Sequence, residues 1–388
     1  MKPLPSFCPI PYGRQHITQT DVAAVVQVLG EDYLTQGPGI QAFEEAFATY
    51  IGSQYAVAVS SGTAALHLCA IALGVREGDK VITSPLTFAA SANCIKYCGG
   101  DIVLADIDPA SGLLDLLQVQ KLLESSPPGT YAGLIPVDFM GLAVQMDAFR
   151  QLAEEHHLWI IEDSCHAPGA YFDTVDGLRQ RAGDGQCADL AIFSFHPVKH
   201  IATGEGGMIT TNRADLYQRL LQLRHHGITK DPQLLTEQHG GWYYEMQELG
   251  YNYRLSNLHA ALGISQLARA DEGLSRRREI AKMYIQAFAG TSVRPLPATF
   301  VPGHAYHLFV VQVPDRKRMY DSLRQAGIYC QIHYIPLHYH PYYQQFGHKV
   351  GDHPHAENYY NHCLSLPMYP SLTAEQQSYV IEQILHLI

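Results

Sequence analysis

DLAIFSFHPVKHIATGEGGMITT, residues 189–211, opens and closes on short apolar runs and carries a lysine between them. Neither run alternates apolar with polar residues. A strand solvated on one face alternates with period two, whereas a strand buried on both faces reads as a continuous apolar run. The same kind of run recurs upstream as YAVAVSS (55–61), KVITSP (80–85), DIVLADID (101–108), AGLIPVDFM (132–140) and HLWIIED (157–163). Helical stretches such as GTAALHLCAIAL (62–73) and MDAFRQLAEEHH (146–157) lie between many of them. Alternating β and α elements predict an α/β fold: a mostly parallel, seven-stranded sheet with helices on both faces.

In such a sheet, ligands bind beyond the carboxyl ends of the strands. Those ends carry Ser60, Ser61, Asp163 and Ser194. SSGTAAL (60–66) leaves a strand and opens a helix, so its hydroxyls and free amides suit an anion such as phosphate. It is not a GKS/T loop, and no G-x-G-x-x-G opens a helix, which disfavours nucleoside triphosphates and dinucleotides. Asp163 ends a buried strand, where it is either a turn residue or a carboxylate aimed at a protonated ring nitrogen. Phe88 follows a strand end and reads either as core or as a ring stacked on a flat ligand. Lys199 alone reads as a surface charge. Buried, it would have a lowered pKa and a reactive neutral amine. One cofactor, pyridoxal 5'-phosphate, needs a phosphate site, a ring stacker, a carboxylate and a buried amine together.

Length and composition set the frame. With 388 residues, the chain exceeds what one core usually serves. We divide it into a large domain at 1–254, with an N-terminal segment and a functional loop at 228–254, and a smaller α/β domain at 255–388. The second part is read as one long helix over 256–288, strands at 307–313 and 328–335, and helices at 316–327 and 373–388. An apolar fraction of 47% suffices for a sizeable core, and a formal charge of -11 argues against nucleic acid or an anionic membrane as partner. The first residues have no continuous apolar segment, and no apolar run approaches the roughly 20 residues of a membrane helix. Eight cysteines in this length are too sparse for a disulfide framework, so we expect a cytoplasmic location. Cys94 and Cys98 read as a buried helical face, and His338, His340, His353 and His355 as loop histidines; no metal site is expected.

The motifs SSGTAAL, PLTFAASANC (85–94), IIEDSCHAPGA (160–170), FSFHPVKHIATGEGG (193–207) and LGYNYRLSNLHAALGISQL (249–267) resemble the DegT/DnrJ/EryC1/StrS family of PLP-dependent sugar aminotransferases. The resemblance runs over nearly the whole chain and implies the type I aminotransferase fold. WYYEMQELGYNYRLSN (242–257), RHHGITKDPQLL (224–235) and IHYIPLHYHPYYQQFG (332–347) are similar to the branch serving pseudaminic acid biosynthesis. It implies transfer of an amino group from L-glutamate to C4 of a UDP-linked 4-keto-6-deoxy-N-acetylhexosamine, with pyridoxamine phosphate as the intermediate form of the cofactor.

Carried over by motif, the resemblance gives Lys199 the Schiff base and the proton shuttle, Asp163 the pyridine nitrogen, and His166 the phenolic edge of the ring. Phe88 stacks on that ring. Gly62, Thr63, Ala64 and Ser194 hold the phosphate, joined by Asn252 from a neighbouring subunit, which implies a homodimer with shared sites. Tyr12, Tyr33, Leu34, Thr35, His196, Ile332, His333 and Tyr334 would contact substrate. Arg254 either binds the donor carboxylate or forms a structural pair, and His200 flanks the lysine. Asn257, His259, Met140 and Cys165 depart from the usual family residues. An aminotransferase for another ketosugar, of the UDP-4-amino-arabinose or perosamine type, is the nearest rival. A PLP-dependent sugar dehydratase would carry histidine in place of Lys199, and a non-catalytic PLP-binding regulator would not need the complete catalytic set.

Overall fold

The computed structural model describes Pro5, Phe7 and residues 9–388. All seven apolar runs become strands of one sheet: β1 (Tyr55–Val59), β2 (Lys80–Thr83), β3 (Asp101–Leu104), β4 (Gly133–Ile135), β5 (Trp159–Asp163), β6 (Leu190–Ser194) and β7 (Gly207–Thr211). Their order is β1-β7-β6-β5-β4-β2-β3. Strand β7 runs antiparallel to β1 and β6, and the remaining pairings are parallel.

Side chains alternate between two mostly apolar layers, which is why the runs do not alternate apolar with polar residues. Val57, Val59, Val81, Ile135, Ile161, Ile192 and Ile209 face one layer. It is built by α3 (Gly62–Ala72), α4 (Ala90–Tyr97) and α7 (Ala214–Leu223). Their neighbours in sequence face the other side. Ile82, Leu134 and Ile160 meet α5 (Leu116–Glu124) and α6 (Met146–Glu155). Ala56, Ala58, Phe193 and Met208 meet α2 (Pro38–Ile51) and Ala260 of α8 (Asn257–Leu267).

The long helix expected over 256–288 is two helices, α8 and α9 (Ala270–Phe288). The break falls at Ala268–Arg269. Arg269 leaves helical geometry (φ -122°, ψ 18°) and donates to the buried Asp21 carboxylate at 2.6 Å. Gln266 donates to the same carboxylate at 2.9 Å. A buried charge needs such partners, and meeting that need ends the helix.

Beyond the break a separate apolar cluster forms, with Ile280, Tyr284 and Phe288 of α9, Phe309 and Val311, Leu364 and Leu366, and Val380 and Ile384. A three-stranded antiparallel sheet, β8 (Arg294–Leu296), β9 (Phe309–Gln312) and β10 (Cys363–Leu366), supports it, with α10 (Arg316–Gln325) and α12 (Ala374–Leu385); α11 (Pro354–His362) lies between α10 and α12 in the chain. The strand expected over 328–335 is shorter. Ile328–Tyr329 pairs in parallel with Ile10–Pro11, Gln331 forms a single bridge to Ser365, and the chain then leaves the sheet. His333 and Tyr334 are held by side-chain partners instead of a ladder. The N-terminal segment thus belongs to the second cluster through Ile10, and Met368 N donates to Tyr12 O at 2.8 Å.

Phe193 is fully buried, with the rings of Phe47 at 4.9 Å and 72°. Phe193→Ala should therefore lower unfolding stability by about 3–5 kcal/mol, a cavity cost of that order. Denaturant titration should show Phe193→Leu losing much less.

Candidate active site

Three strand ends and one loop meet at the carboxyl edge of the sheet. Strand β1 ends at Ser60–Ser61, β5 at Asp163 and β6 at Ser194. Because β6 and β7 are adjacent and antiparallel, the loop 195–206 between them doubles back over that edge, bringing Lys199 with it. A cavity of about 330 Å³ lies there. Tyr12, Gly62, Thr63, Phe88, Asp163, His166, Ser194, His196, Lys199, His333 and Tyr334 line it, together with Ser61, Leu66, Thr87, Ala90, Val137, Cys165, Val198 and Glu205.

Lys199 lines this cavity and is half-buried. Burial pulls its pKa below the ordinary lysine value, while Cys165 and Asp163 pull weakly the other way. Asp163 is 5% exposed, and its carboxylate accepts from Ser91 Oγ at 2.7 Å and from Cys165 N at 3.2 Å. Ser91 itself is fully buried and lies 2.8 Å from Thr87 Oγ1. The carboxylate is therefore oriented by a relay from α4. His166 is buried beside it. Burial first, then the charges of Lys199, His333 and His200, hold its pKa well below the usual imidazole value. Its Nε2 lies 3.2 Å from Tyr334 Oη.

The phosphate end is shaped by close backbone approach. Ser61 caps α3, its Oγ accepting from Ala64 N at 3.1 Å. Ala64 thus spends its amide on the cap and stands behind the cavity wall, leaving the first-turn positions Gly62 and Thr63 in front. A Cβ on Gly62 would come within 3.0 Å of Ser194 Cβ, and one on Gly207 within 2.6 Å of the Ser61 carbonyl. Both glycines are required by that approach.

Phe88 is 60% exposed and not core; its ring stands on the cavity wall 6.1 Å from Tyr334. Of the two histidines flanking the lysine, His196 reaches the wall. His200 turns away from it, toward His307, at 5.7 Å between rings. Cys94 is buried on α4 and Cys98 half-buried at its end, and the seven described cysteines are free. His338 is not a loop-surface residue: it is fully buried, with Nε2 2.9 Å from Glu357.

Tyr33, Leu34, Thr35, Asn252, Arg254 and Ile332 are not on this wall. Tyr33 and Leu34 are exposed, and their carbonyls accept from Asn257 Nδ2 and N, each at 2.9 Å. Thr35 bridges Ser256. Asn252 is exposed, beside His225. Arg254 Nη1 lies 2.7 Å from His225 Nδ1, the structural pairing rather than a cavity contact within this chain. Ile332 packs among apolar side chains instead. Sequence reasoning missed Ser91, Glu205 and Val198. Ser91 lies 72 residues from the carboxylate it orients, and no local pattern reveals such a pairing.

A fixed carboxylate, a half-buried lysine and a glycine-lined helix start fit the pyridine nitrogen, the aldehyde and the phosphate of pyridoxal phosphate. Residues 15–385 match the DegT/DnrJ/EryC1/StrS aminotransferase family. The chain belongs to that family. Among its relatives, the spore coat polysaccharide biosynthesis protein SpsC of Bacillus subtilis is 39% identical, over 98% of this chain and 97% of the relative. The UDP-4-amino-4,6-dideoxy-N-acetyl-beta-L-altrosamine transaminase of Campylobacter jejuni is 34% identical, over 98% and 97%. The putative sugar aminotransferase Spr1654 of Streptococcus pneumoniae, solved in its PLP form, superposes with a TM-score of 0.88 at 27% identity, covering 97% of both chains. Its PMP form gives the same TM-score. The protein is a PLP-dependent sugar aminotransferase. No helix among the described residues is long and apolar enough to cross a membrane.

Removing the Ser91 hydroxyl leaves Asp163 short of one charge-assisted hydrogen bond, an interaction of about 1.5–3 kcal/mol. Ser91→Ala should therefore raise the dissociation constant for pyridoxal phosphate by about tenfold or more. Equilibrium dialysis measures this, with Ser91→Thr retaining most of the affinity.

Proposed function

We propose that this aminotransferase moves an amino group from L-glutamate to C4 of a UDP-linked 4-keto-6-deoxy-N-acetylhexosamine, in the cytoplasm, as a homodimer with shared sites. The observation that carries the reading is that the half-buried Lys199 and the Ser91-anchored Asp163 carboxylate line one cavity. The substrate rests on the motifs at 224–235, 242–257 and 332–347 and on the name of the Campylobacter relative.

When bound, the cofactor would supply the electron sink for transferring an amino group from donor to acceptor. The chain supplies placement and proton traffic. Lys199 Nζ, whose pKa burial lowers, would take and return the proton at the cofactor. Asp163 would accept from the ring nitrogen and keep a proton there. Gly62, Thr63 and Ser194 would hold the phosphate at the positive end of α3. Phe88 would cover the ring and His166 would meet its phenolic edge.

Tyr12, His196, His333 and Tyr334 stand at the cavity and would orient the sugar. Burial and the charge of Lys199 hold His333 down at about 3, so it meets substrate as a neutral ring. Asn252, Tyr33, Leu34, Thr35 and Arg254 are assigned to the partner's site, Asn252 at its phosphate. The loop that precedes Asn252 exposes Trp242 (75%) and Leu249 (75%), apolar surface of the kind an interface covers.

The higher identity to the spore coat relative favours a second reading, in which another nucleotide-linked 4-ketosugar is the acceptor. A panel of 4-ketosugars, with glutamate as donor and product mass as readout, separates the two. The 4-keto-6-deoxy-N-acetylhexosamine should give the highest kcat/KM, and a tenfold preference for another ketosugar would reverse the order. Lys199→Ala should lose all turnover in that assay. Shared sites predict complementation: Lys199→Ala and Asn252→Ala, each inactive as a pure dimer, should regain up to about a quarter of wild-type activity when mixed and allowed to exchange subunits. No recovery despite demonstrated exchange would place Asn252 in its own chain's site.

A further inference from the structure

Behind the cavity wall lies a cluster of nitrogen-bearing side chains that the reaction does not use: His200, His304, His307, Arg277 and Arg278. His307 is 4% exposed and Arg277 1%. The Arg277 guanidinium meets only backbone carbonyls, donating to Tyr306 O and His307 O at 3.2 Å and to Met368 O at 2.9 Å. Leu308 N donates to Met140 O at 3.1 Å, and Ala305 N to Gly141 O at 2.8 Å. Residues 305–308 are thereby pinned to the turn 139–141. That turn is tight: a Cβ on Gly141 would fall 2.6 Å from His166 O and 3.1 Å from His307 N. The backbones of His166 and His307 are clamped on either side of one glycine.

Their rings are in contact as well. The His166 ring has three aromatic neighbours: His307 at 4.3 Å, and Phe139 and Tyr334 at 6.2 Å each. Tyr334 also reaches His166 Nε2. The Nδ1 atoms of both histidines are buried and have no hydrogen-bond partner among the described residues. We propose that His307 is a positioning residue for the cofactor site, its ring packing on His166 so as to fix the imidazole plane and shut water away from Nδ1. The inference rests on the assignment of His166 to the cofactor.

The electrostatics run the same way. Besides burial, Lys199, His333 and His200 push the His166 pKa down, and His166, Lys199, His200 and Arg277 that of His307; Tyr334 Oη lies 3.2 Å from His166 Nε2, and the Asp163 carboxylate shares the cavity with His166. An imidazolium at either position would be desolvated, with the Arg277 guanidinium beside His307, so burial holds both rings well below the ordinary imidazole value. Opening the His307 side to water would relax the desolvation that keeps a proton off His166, and its pKa would climb toward the ordinary value of about 6.5.

The test is a pH titration of the absorbance of the holoenzyme, with the single variants His307→Gln, His307→Phe and His166→Asn. The wild type should show no imidazole step. His307→Gln, which loses the ring, should gain one near pH 6.5, within about a unit, and lose about tenfold in kcat with the ketosugar KM held within about twofold. His307→Phe keeps a ring of similar size and should show no step and more than half of wild-type kcat. A His307→Gln holoenzyme that titrates like wild type overturns the proposal. If that variant does not fold, carbon NMR of wild type labelled at histidine Cε1 decides: His166 must stay neutral from about pH 5.5 to 8, and its titration in that range also overturns the proposal. His166→Asn separates the two levels of inference. An unchanged cofactor band in that variant removes His166 from the site, whatever His307 does.

Discussion

Strand β7 lies between β1 and β6 and runs against both, and the site depends on that placement. A parallel neighbour would need a helical crossover to return to the same edge. An antiparallel one needs only the loop 195–206, which stays at the carboxyl edge and lays Lys199 across it. The register brings Gly207 opposite both Val59 and Ser194. This packs the end of the loop against Ser61, closer than any side chain allows. One strand pairing therefore fixes both the start of α3 and the loop that carries Lys199.

The second requirement is chemical. A reactive amine has to be kept from bulk water yet near a carboxylate that stays available to another partner. The protein separates the two tasks. Lys199 is covered by the loop and by His333 and Tyr334, while Asp163 is held by Ser91 from α4 and by its own following turn. His333 and Tyr334 reach the cavity because the chain leaves its short parallel pairing with Ile10–Pro11. The same pairing brings Tyr12 to the wall from the opposite end of the sequence. The apolar cluster built by α9, β9 and β10 thus completes a site whose reacting groups belong to the large sheet.

How much of this could be read in the sequence follows from the range of each interaction. The seven strands were legible because burial on both faces removes polar residues from a run, and that is a local property. Lys199, Asp163, Phe88 and Gly62 are proposed as a set from the sequence, and the fold brings all four to one cavity. The break at Arg269 was not, because its cause is a carboxylate 248 residues away. The shortened strand at 328–335 was missed for a similar reason: side-chain partners on Ser365 and Tyr359 replace the ladder at His333. Ser91 and His307 act on Asp163 and His166 across long sequence separations, and a single chain offers no pattern for either.

The central claim is that Lys199 is the amine that bonds to the cofactor. Reduction of the purified holoenzyme with borohydride, followed by digestion and mass mapping, tests it most directly. The account predicts one phosphopyridoxyl adduct, on Lys199 within FSFHPVKHIATGEGG. An adduct on any other lysine, with Lys199 unmodified, would contradict it.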